Sequence, residues 1–138
     1  MKAFRYMLVM ITLIIPLFAQ ATEDQNTQNP LVEEMRILDN TFKEVVSAVA
    51  VGNGSKVNES LESLHGLREK THKAIKSGII RLPKNHHRVR EFLKLDIRFH
   101  TELELLSKAA HKNNQRKMLI LTKKLLDGCV NCHRVFKR

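Results

Sequence analysis

The sequence has no tryptophan, one tyrosine, three prolines and five glycines among its 138 residues. So little glycine and proline excludes a collagen-like or low-complexity chain and argues against a fold of many short strands. Its two cysteines are too few for a scaffold held together by several disulfides. With 43% hydrophobic and 28% charged residues, the chain has the composition of one ordinary globular domain rather than a disordered one.

Acidic residues are also missing from the first 21 positions, which have the features of an export signal. Lys2 and Arg5 precede an apolar run over residues 6–18, and residues 19–21 (Ala-Gln-Ala) match a signal peptidase site. The run is short for a transmembrane helix, which needs about 20 apolar residues. We therefore predict a signal peptide over residues 1–21, cleaved after position 21, and a periplasmic mature protein. An uncleaved N-terminal anchor is the alternative.

The charge of the chain is strongly one-sided. Lys and Arg number 24 against 14 Asp and Glu, and the predicted mature chain keeps 22 of the basic and all 14 of the acidic residues, a net charge of +8. In an exported protein such a charge does not indicate a nucleic-acid partner. It favours acidic partner proteins or anionic membrane surfaces instead.

Apolar residues recur at helical spacing along most of the mature chain. Residues 22–29 are polar and aperiodic, which predicts a flexible N-terminal tail before a single domain over residues 30–138. Four amphipathic segments follow, at about 30–51, 55–78, 84–112 and 114–137. Because their connections are short and no segment alternates like a strand, they predict an all-α fold, an antiparallel four-helix bundle. Gly66, inside the second segment, is interpreted as a point of close packing.

Capping residues set the predicted helix starts. Asn29, followed by a proline, is typical of the position before a helix, and Glu33 and Glu34 lie where the helix dipole favours acids. Ser55 is the predicted cap of the second helix, after the glycine-rich turn at residues 52–54. An asparagine at 113 or 114 is the predicted cap of the last helix.

Close to the C-terminus the chain contains Cys129-Val130-Asn131-Cys132-His133, the attachment pattern of a c-type haem. Two thiols on one helical turn are placed to reach the two vinyl groups of one porphyrin, and the adjacent imidazole to bind the iron. Three alternatives are a disulfide, which would be strained within a helix, a thioredoxin-like redox pair and a zinc site. A thioredoxin-like redox pair is typical of a helix N-terminus, whereas these thiols lie in the last turns of a helix. A zinc site needs about four ligands, so it would have to recruit His133 and a distant histidine.

This pattern at the end of a last helix resembles the class II c-type cytochromes, the group of cytochrome c′ and the cytochromes c-556. The resemblance rests on Leu125-Leu126-x-x-Cys129-x-x-Cys132-His133-x-x-Phe136-Lys137 and on Met35 in the first helix. It implies one haem c near the C-terminal end of the bundle. Cys129 and Cys132 would form its thioethers, and His133 would be the proximal iron ligand.

The sixth iron position separates two functions within that group. Members of the c-556 type supply a methionine from the first helix and transfer electrons, whereas five-coordinate c′ members have an apolar residue there and bind small gases. Met35 is the corresponding residue here, and an antiparallel bundle places it at the same end as His133. A methionine on an apolar stripe is otherwise a core residue, as many are.

The resemblance therefore predicts a periplasmic electron carrier with His133 and Met35 as iron ligands and acidic redox partner proteins; a five-coordinate gas-binding protein is the alternative. It implies no enzymatic activity, and after signal cleavage no integral membrane protein. A homodimer through the first two helices is left open beside a monomer. A haem-free metal-handling or adaptor protein is a third hypothesis.

The remaining histidines and several basic residues lie near the predicted haem end. The sequence favours solvated side chains for His72, His86 and His87, with a sixth iron ligand or a propionate partner as the alternative. His100 lies beside the apolar stripe of the third helix and is expected to be a hydrogen-bonded core histidine. The candidate propionate partners are Lys73, Lys76, Arg81 and Lys137.

Overall fold

The computed structural model describes residues 29–137, and within them the chain is helical with no strand. The predicted signal peptide, residues 22–28 of the predicted tail and residue 138 lie outside the described residues. The helices are α1 (Pro30–Ala50), α2 (Gly54–Leu61), a 3₁₀ turn (Glu62–Leu64), α3 (Leu67–Lys76), α4 (Val89–His111) and α5 (Gln115–Phe136).

Helix α1 begins and ends as its capping residues predict. The Asn29 side chain accepts hydrogen bonds from the backbone amides of Leu31 and Val32, so it satisfies donors that the first turn leaves open. At the other end Gly52 has a φ of +71°, and the backbone N–H of the next residue, Asn53, donates to the carbonyl of Ala48 at 2.9 Å. This left-handed glycine closes the helix in a Schellman motif.

The second predicted helix is interrupted, and two expectations about it are wrong. Asn53, rather than Ser55, caps α2, because its side chain accepts from the amide of Lys56. Gly66 does not mark close packing, since no atom lies within 4 Å of a Cβ built on it. Its φ of +76° ends the 3₁₀ turn and starts α3, and left-handed backbone of this kind favours glycine.

The third predicted helix begins five residues later than expected, at Val89 rather than Lys84. Asn85 has a φ of +54°, which no α-helix contains, and its side-chain amide donates to the carbonyl of Val135 at 2.7 Å. Residues 77–88 therefore form an irregular connection that is attached to the end of α5. The last helix begins after Asn114, which caps it.

Contacts at the helix ends show that neighbouring helices run antiparallel. Thr71 in α3 donates to the carbonyl of Pro30, the first residue of α1, at 3.1 Å. Phe92, near the start of α4, packs edge-to-face on Phe136 at the end of α5, with ring centroids 5.5 Å apart. Taking α2 and α3 as one interrupted arm, the all-helical bundle expected from the sequence is confirmed.

The apolar core has two clusters. The larger one joins all four arms and includes fully buried Val45, Val57, Leu106, Met118 and Leu125. The smaller one lies at the end of the bundle where α1 begins and α5 ends, and its buried members are Leu31, Ile75, Leu82, Phe92 and Phe136. Met35 and Cys132 pack against this second cluster, so the predicted site lies on an apolar part of the core.

Candidate haem-binding groove

The cysteine motif lies on the last two turns of α5, facing a groove between helices. Cys129 and Cys132 are half-buried and free, and His133 is exposed. Cys132, Cys129 and His133 line a cavity of about 210 Å³ whose opposite wall includes Met35 and Phe42 of α1. The structure therefore brings together the four residues that the sequence predicts for the haem site.

A second cavity, of about 350 Å³, continues this space toward the start of α1. Met35, Cys132 and His133 line both cavities, and we call the two together the site groove. Its walls are mainly apolar side chains from α1, α4, α5 and the connection before α4, with Leu38, Phe99, Leu126, Leu82 and Phe136 among them. Clefts lined mainly by apolar side chains with a few polar groups are where proteins commonly bind cofactors.

Gly128 lies in the wall of this groove, and it was not among the residues predicted for the site. A Cβ at this position would lie 3.3 Å from Cδ2 of Phe99, so the absence of a side chain lets α5 approach the ring closely. Phe99 belongs to the predicted apolar stripe of the third helix. The glycine immediately before Cys129 is the signal that could have indicated a close contact here.

Two contacts fix the end of α5, which carries His133. The Asn85 side chain binds the carbonyl of Val135, an oxygen that the helix end leaves without an intrahelical partner. Phe136, 4% exposed, packs against Phe92. Asn85 was not predicted from the sequence, although an asparagine in a connection readily adopts left-handed backbone and is a usual capping residue.

Basic residues border only part of the groove. Arg81 and Lys137 line the second cavity, beside His133. Lys73 and Lys76 line a different cavity, with His72 and Arg68. Of the four candidate propionate partners, the structure therefore places two at the site groove and two away from it.

Burial changes the acid–base properties of the motif. Desolvation, with Asp96 and then Cys129 adding to it, raises the pKa of the Cys132 thiol to about 11. Desolvation also raises the pKa of Cys129. Redox-active thiol pairs have lowered pKa values at helix N-termini, so this environment disfavours the thioredoxin-like alternative. Desolvation, followed by Lys137, lowers the pKa of His133, which favours the neutral imidazole that binds metals.

The other histidines have different surroundings from one another. His86 and His87 are exposed, as expected. The expectation of a solvated His72 is wrong: its side chain is 12% exposed, and its Nε2 lies 2.7 Å from Oδ2 of Asp96. The expectation for His100 is confirmed, because it is buried with Nε2 3.0 Å from Oε1 of Glu34.

Glu34 is the largest departure from the sequence prediction. It was interpreted only as an acid favoured by the helix dipole, and its complete burial, at 0% exposure, was not predicted. Asp96 and His100 lie beside it, at 6% and 8% exposure, and Asp96 also lines the site groove. In hindsight, Glu34, Thr41 and Ala48 repeat every seven residues and are all buried, so a second inward-facing stripe on α1 could have revealed it.

Comparison with protein-family models, curated proteins and solved structures found no match. Within residues 29–137, no helix combines the length and the apolar character needed to cross a membrane. Among these residues, one group of three side chains is spaced so that it could hold a metal ion: Glu34, Asp96 and His100. Neither cysteine belongs to this group. The haem roles of Cys129 and Cys132 stay predictions.

Proposed function

We propose that the protein is a periplasmic c-type cytochrome that carries single electrons on one covalently bound haem. The observation that carries this proposal is the convergence of Cys129, Cys132 and His133 with Met35 on one apolar groove. The motif alone is a short pattern. Its position opposite a half-buried methionine, on a helix end fixed by separate contacts, is what a haem site requires.

The four residues would have distinct roles. The Cys129 and Cys132 thiols would each add across a vinyl group, so that sulfur bonds to carbon and the thiol hydrogen moves to the neighbouring carbon. His133 and Met35 would be the iron ligands, and the bound haem would supply the one-electron chemistry. A methionine ligand and an apolar site both favour the reduced state and so raise the reduction potential.

The protein walls contribute exclusion of water and a fixed geometry. Phe99 packs close to Gly128, and Phe136 packs on Phe92, so we expect the sides of the groove to be rigid. An electron carrier benefits from such rigidity because little rearrangement then accompanies a change of charge. The net charge of +8 predicted for the mature chain would steer encounters with acidic redox proteins, at rates that fall as ionic strength rises.

Intact-mass spectrometry tests covalent attachment and export together. The protein is expressed with its own signal sequence beside a haem-attachment system, and its mass is measured under denaturing conditions. We expect the mass of residues 22–138 plus one haem. The Cys129→Ala/Cys132→Ala variant should lose the haem mass, while Val130→Ala, an exposed position between them, should keep it.

Two results would contradict the proposal. A wild-type mass without haem, in cells that attach haem to a control cytochrome, would exclude the cytochrome function. A mass that still includes residues 1–21 would show that the chain keeps its N-terminal segment as an anchor. Neither result depends on the stability of a variant.

A further inference from the structure

A second cluster of chemically active side chains lies inside the bundle, and the proposed haem chemistry does not use it. Glu34 of α1 and His100 of α4 are joined at 3.0 Å. Asp96, one turn before His100, has Oδ1 3.9 Å from the same His100 Nε2. One ligand atom from each of these three residues lies within 4.8 Å of the others.

The hydrogen bonds of this cluster are incomplete. Oε2 of Glu34 is buried and has no hydrogen-bond partner, the one such buried side-chain atom found within residues 29–137. A buried carboxylate oxygen without a partner is costly, because desolvation is then not compensated. An oxygen of this kind, on a carboxylate that already faces an imidazole and a second carboxylate, indicates a place for a cation.

The spacing of the donors agrees with a small transition-metal ion. Zinc bonds of about 2.0–2.2 Å to nitrogen and oxygen, at tetrahedral angles, separate neighbouring ligand atoms by roughly 3.3 Å. The two separations at His100 Nε2, 3.0 Å to Glu34 and 3.9 Å to Asp96, lie on either side of that value. All three ligand atoms lie within 4.8 Å of one another, so side-chain adjustment within the cluster would bring them to one ion.

The charges lead to the same conclusion. Glu34 and Asp96, at 0% and 6% exposure, place two carboxylates around one imidazole with almost no solvent to separate their charges. A divalent cation would compensate both carboxylates, and it would take the place that a shared proton cannot fill for all three side chains. One imidazole and two carboxylates are donors that suit zinc or ferrous iron, whereas calcium and magnesium prefer oxygen ligands alone.

We propose that Glu34, Asp96 and His100 form a binding site for a divalent transition-metal ion, with Zn²⁺ the ion that their donors and separations favour. His72 would be a positioning residue, since its Nε2 is 2.7 Å from the other oxygen of Asp96 and would orient that carboxylate. The ion would join α1 to α4, with α3 attached through His72. The site uses no residue of the cysteine motif.

Zinc binding is measured by equilibrium dialysis of the untagged, chelator-treated protein against Zn²⁺ alone. We expect one tightly bound Zn²⁺ per chain. Glu34→Gln and His100→Gln should each weaken its binding at least roughly tenfold, and His72→Ala by about 10- to 100-fold. The matched controls Glu44→Gln and His111→Gln, exposed positions on the same two helices, should bind as the wild type does.

The ligand atoms are identified by X-ray absorption at the zinc edge, which requires no variant to fold. We expect oxygen and nitrogen neighbours at about 2.0–2.2 Å and no sulfur at about 2.3 Å. Sulfur in that spectrum would assign the zinc to Cys129 and Cys132 and overturn the proposal. Absence of stoichiometric binding to the wild type would also overturn it.

The proposed metal site and the proposed haem site can be removed separately, so each proposal can be refuted without the other. The Cys129→Ser/Cys132→Ser variant would abolish haem attachment, yet it should retain one Zn²⁺ per chain. We expect the double cysteine variant to lose haem and keep zinc. We expect Glu34→Gln to keep the haem content of the wild type. Loss of zinc binding in the cysteine variant, when circular dichroism shows it folded, would contradict the placement of the metal.

Discussion

Replacing Gly54 by alanine tests how the two turns at the end of the bundle remote from the groove pack together. A Cβ at Gly54 would lie 2.4 Å from the carbonyl oxygen of Ala110 and 2.6 Å from Oδ1 of Asn113. An ordinary contact begins near 3.4 Å, so the α1–α2 turn would have to move about 1 Å away from the α4–α5 turn. The nearest atom is backbone and cannot rotate out of the way.

The expected cost follows from two opposing effects. Overpacking of this kind destabilises by about 1–3 kcal/mol, while alanine gains up to about 1 kcal/mol over glycine as a helix former. We therefore expect Gly54→Ala to lower the free energy of unfolding by about 1–2 kcal/mol, measured by urea unfolding followed by circular dichroism. Without the clash, the same substitution would be neutral or stabilising.

Gly78→Ala is the matched control. Gly78 has a φ of +74° with open space around its Cα, so an added Cβ meets no atom and only the left-handed backbone penalises it, by about 1–2 kcal/mol. Combining both substitutions should give additive losses, because the two sites share no neighbour. A Gly54→Ala protein as stable as the wild type would refute the packing of the two turns described here.

Three further predictions concern the core and the buried cluster, each measured by urea unfolding. His100→Leu should cost about 3–5 kcal/mol because it leaves Glu34 buried without its partner, and adding Glu34→Leu should restore much of that loss. Leu106→Ala, at 0% exposure, should cost about 2–5 kcal/mol, whereas Val46→Ala, at 45% exposure, should change the stability by less than about 0.5 kcal/mol. The folded-state pKa of Asp96 is raised above its unfolded value, so ionising it weakens the fold. With chelator present, the free energy of unfolding of the wild type, relative to that of Asp96→Asn, should fall as the pH rises from about 4 toward neutrality. A difference between the two proteins that does not change with pH would exclude a raised pKa of Asp96.

The helix boundaries were predictable where capping chemistry is local. Asn29 and Asn114 cap α1 and α5 at the expected positions, because a side chain within three residues of the amides it binds determines the start. The start of α4 was not predictable in the same way. Asn85 adopts left-handed backbone and binds the carbonyl of Val135, 50 residues away, and such a tertiary contact leaves no periodic signal.

The candidate site was predictable in its residues but not in its surroundings. The cysteine motif and Met35 follow from spacing and resemblance, and antiparallel topology places them at one end. Gly128 against Phe99, in contrast, is a contact between helices whose rotation about their axes the sequence leaves open. The buried cluster was missed because Glu34 was interpreted only from its place in the first turn, where the helix dipole favours acids, although its spacing with Thr41 and Ala48 indicates an inward face.

The optical spectrum of the exported protein, oxidised and reduced, tests the central claim most directly. The account predicts a low-spin haem whose ferric form has the near-infrared band of methionine ligation. Met35→Leu should abolish that band, while Met118→Leu, a substitution of the core methionine in the larger apolar cluster, should leave it in place. A high-spin spectrum that shifts when carbon monoxide is added would favour the gas-binding alternative, and absence of haem absorbance would contradict both.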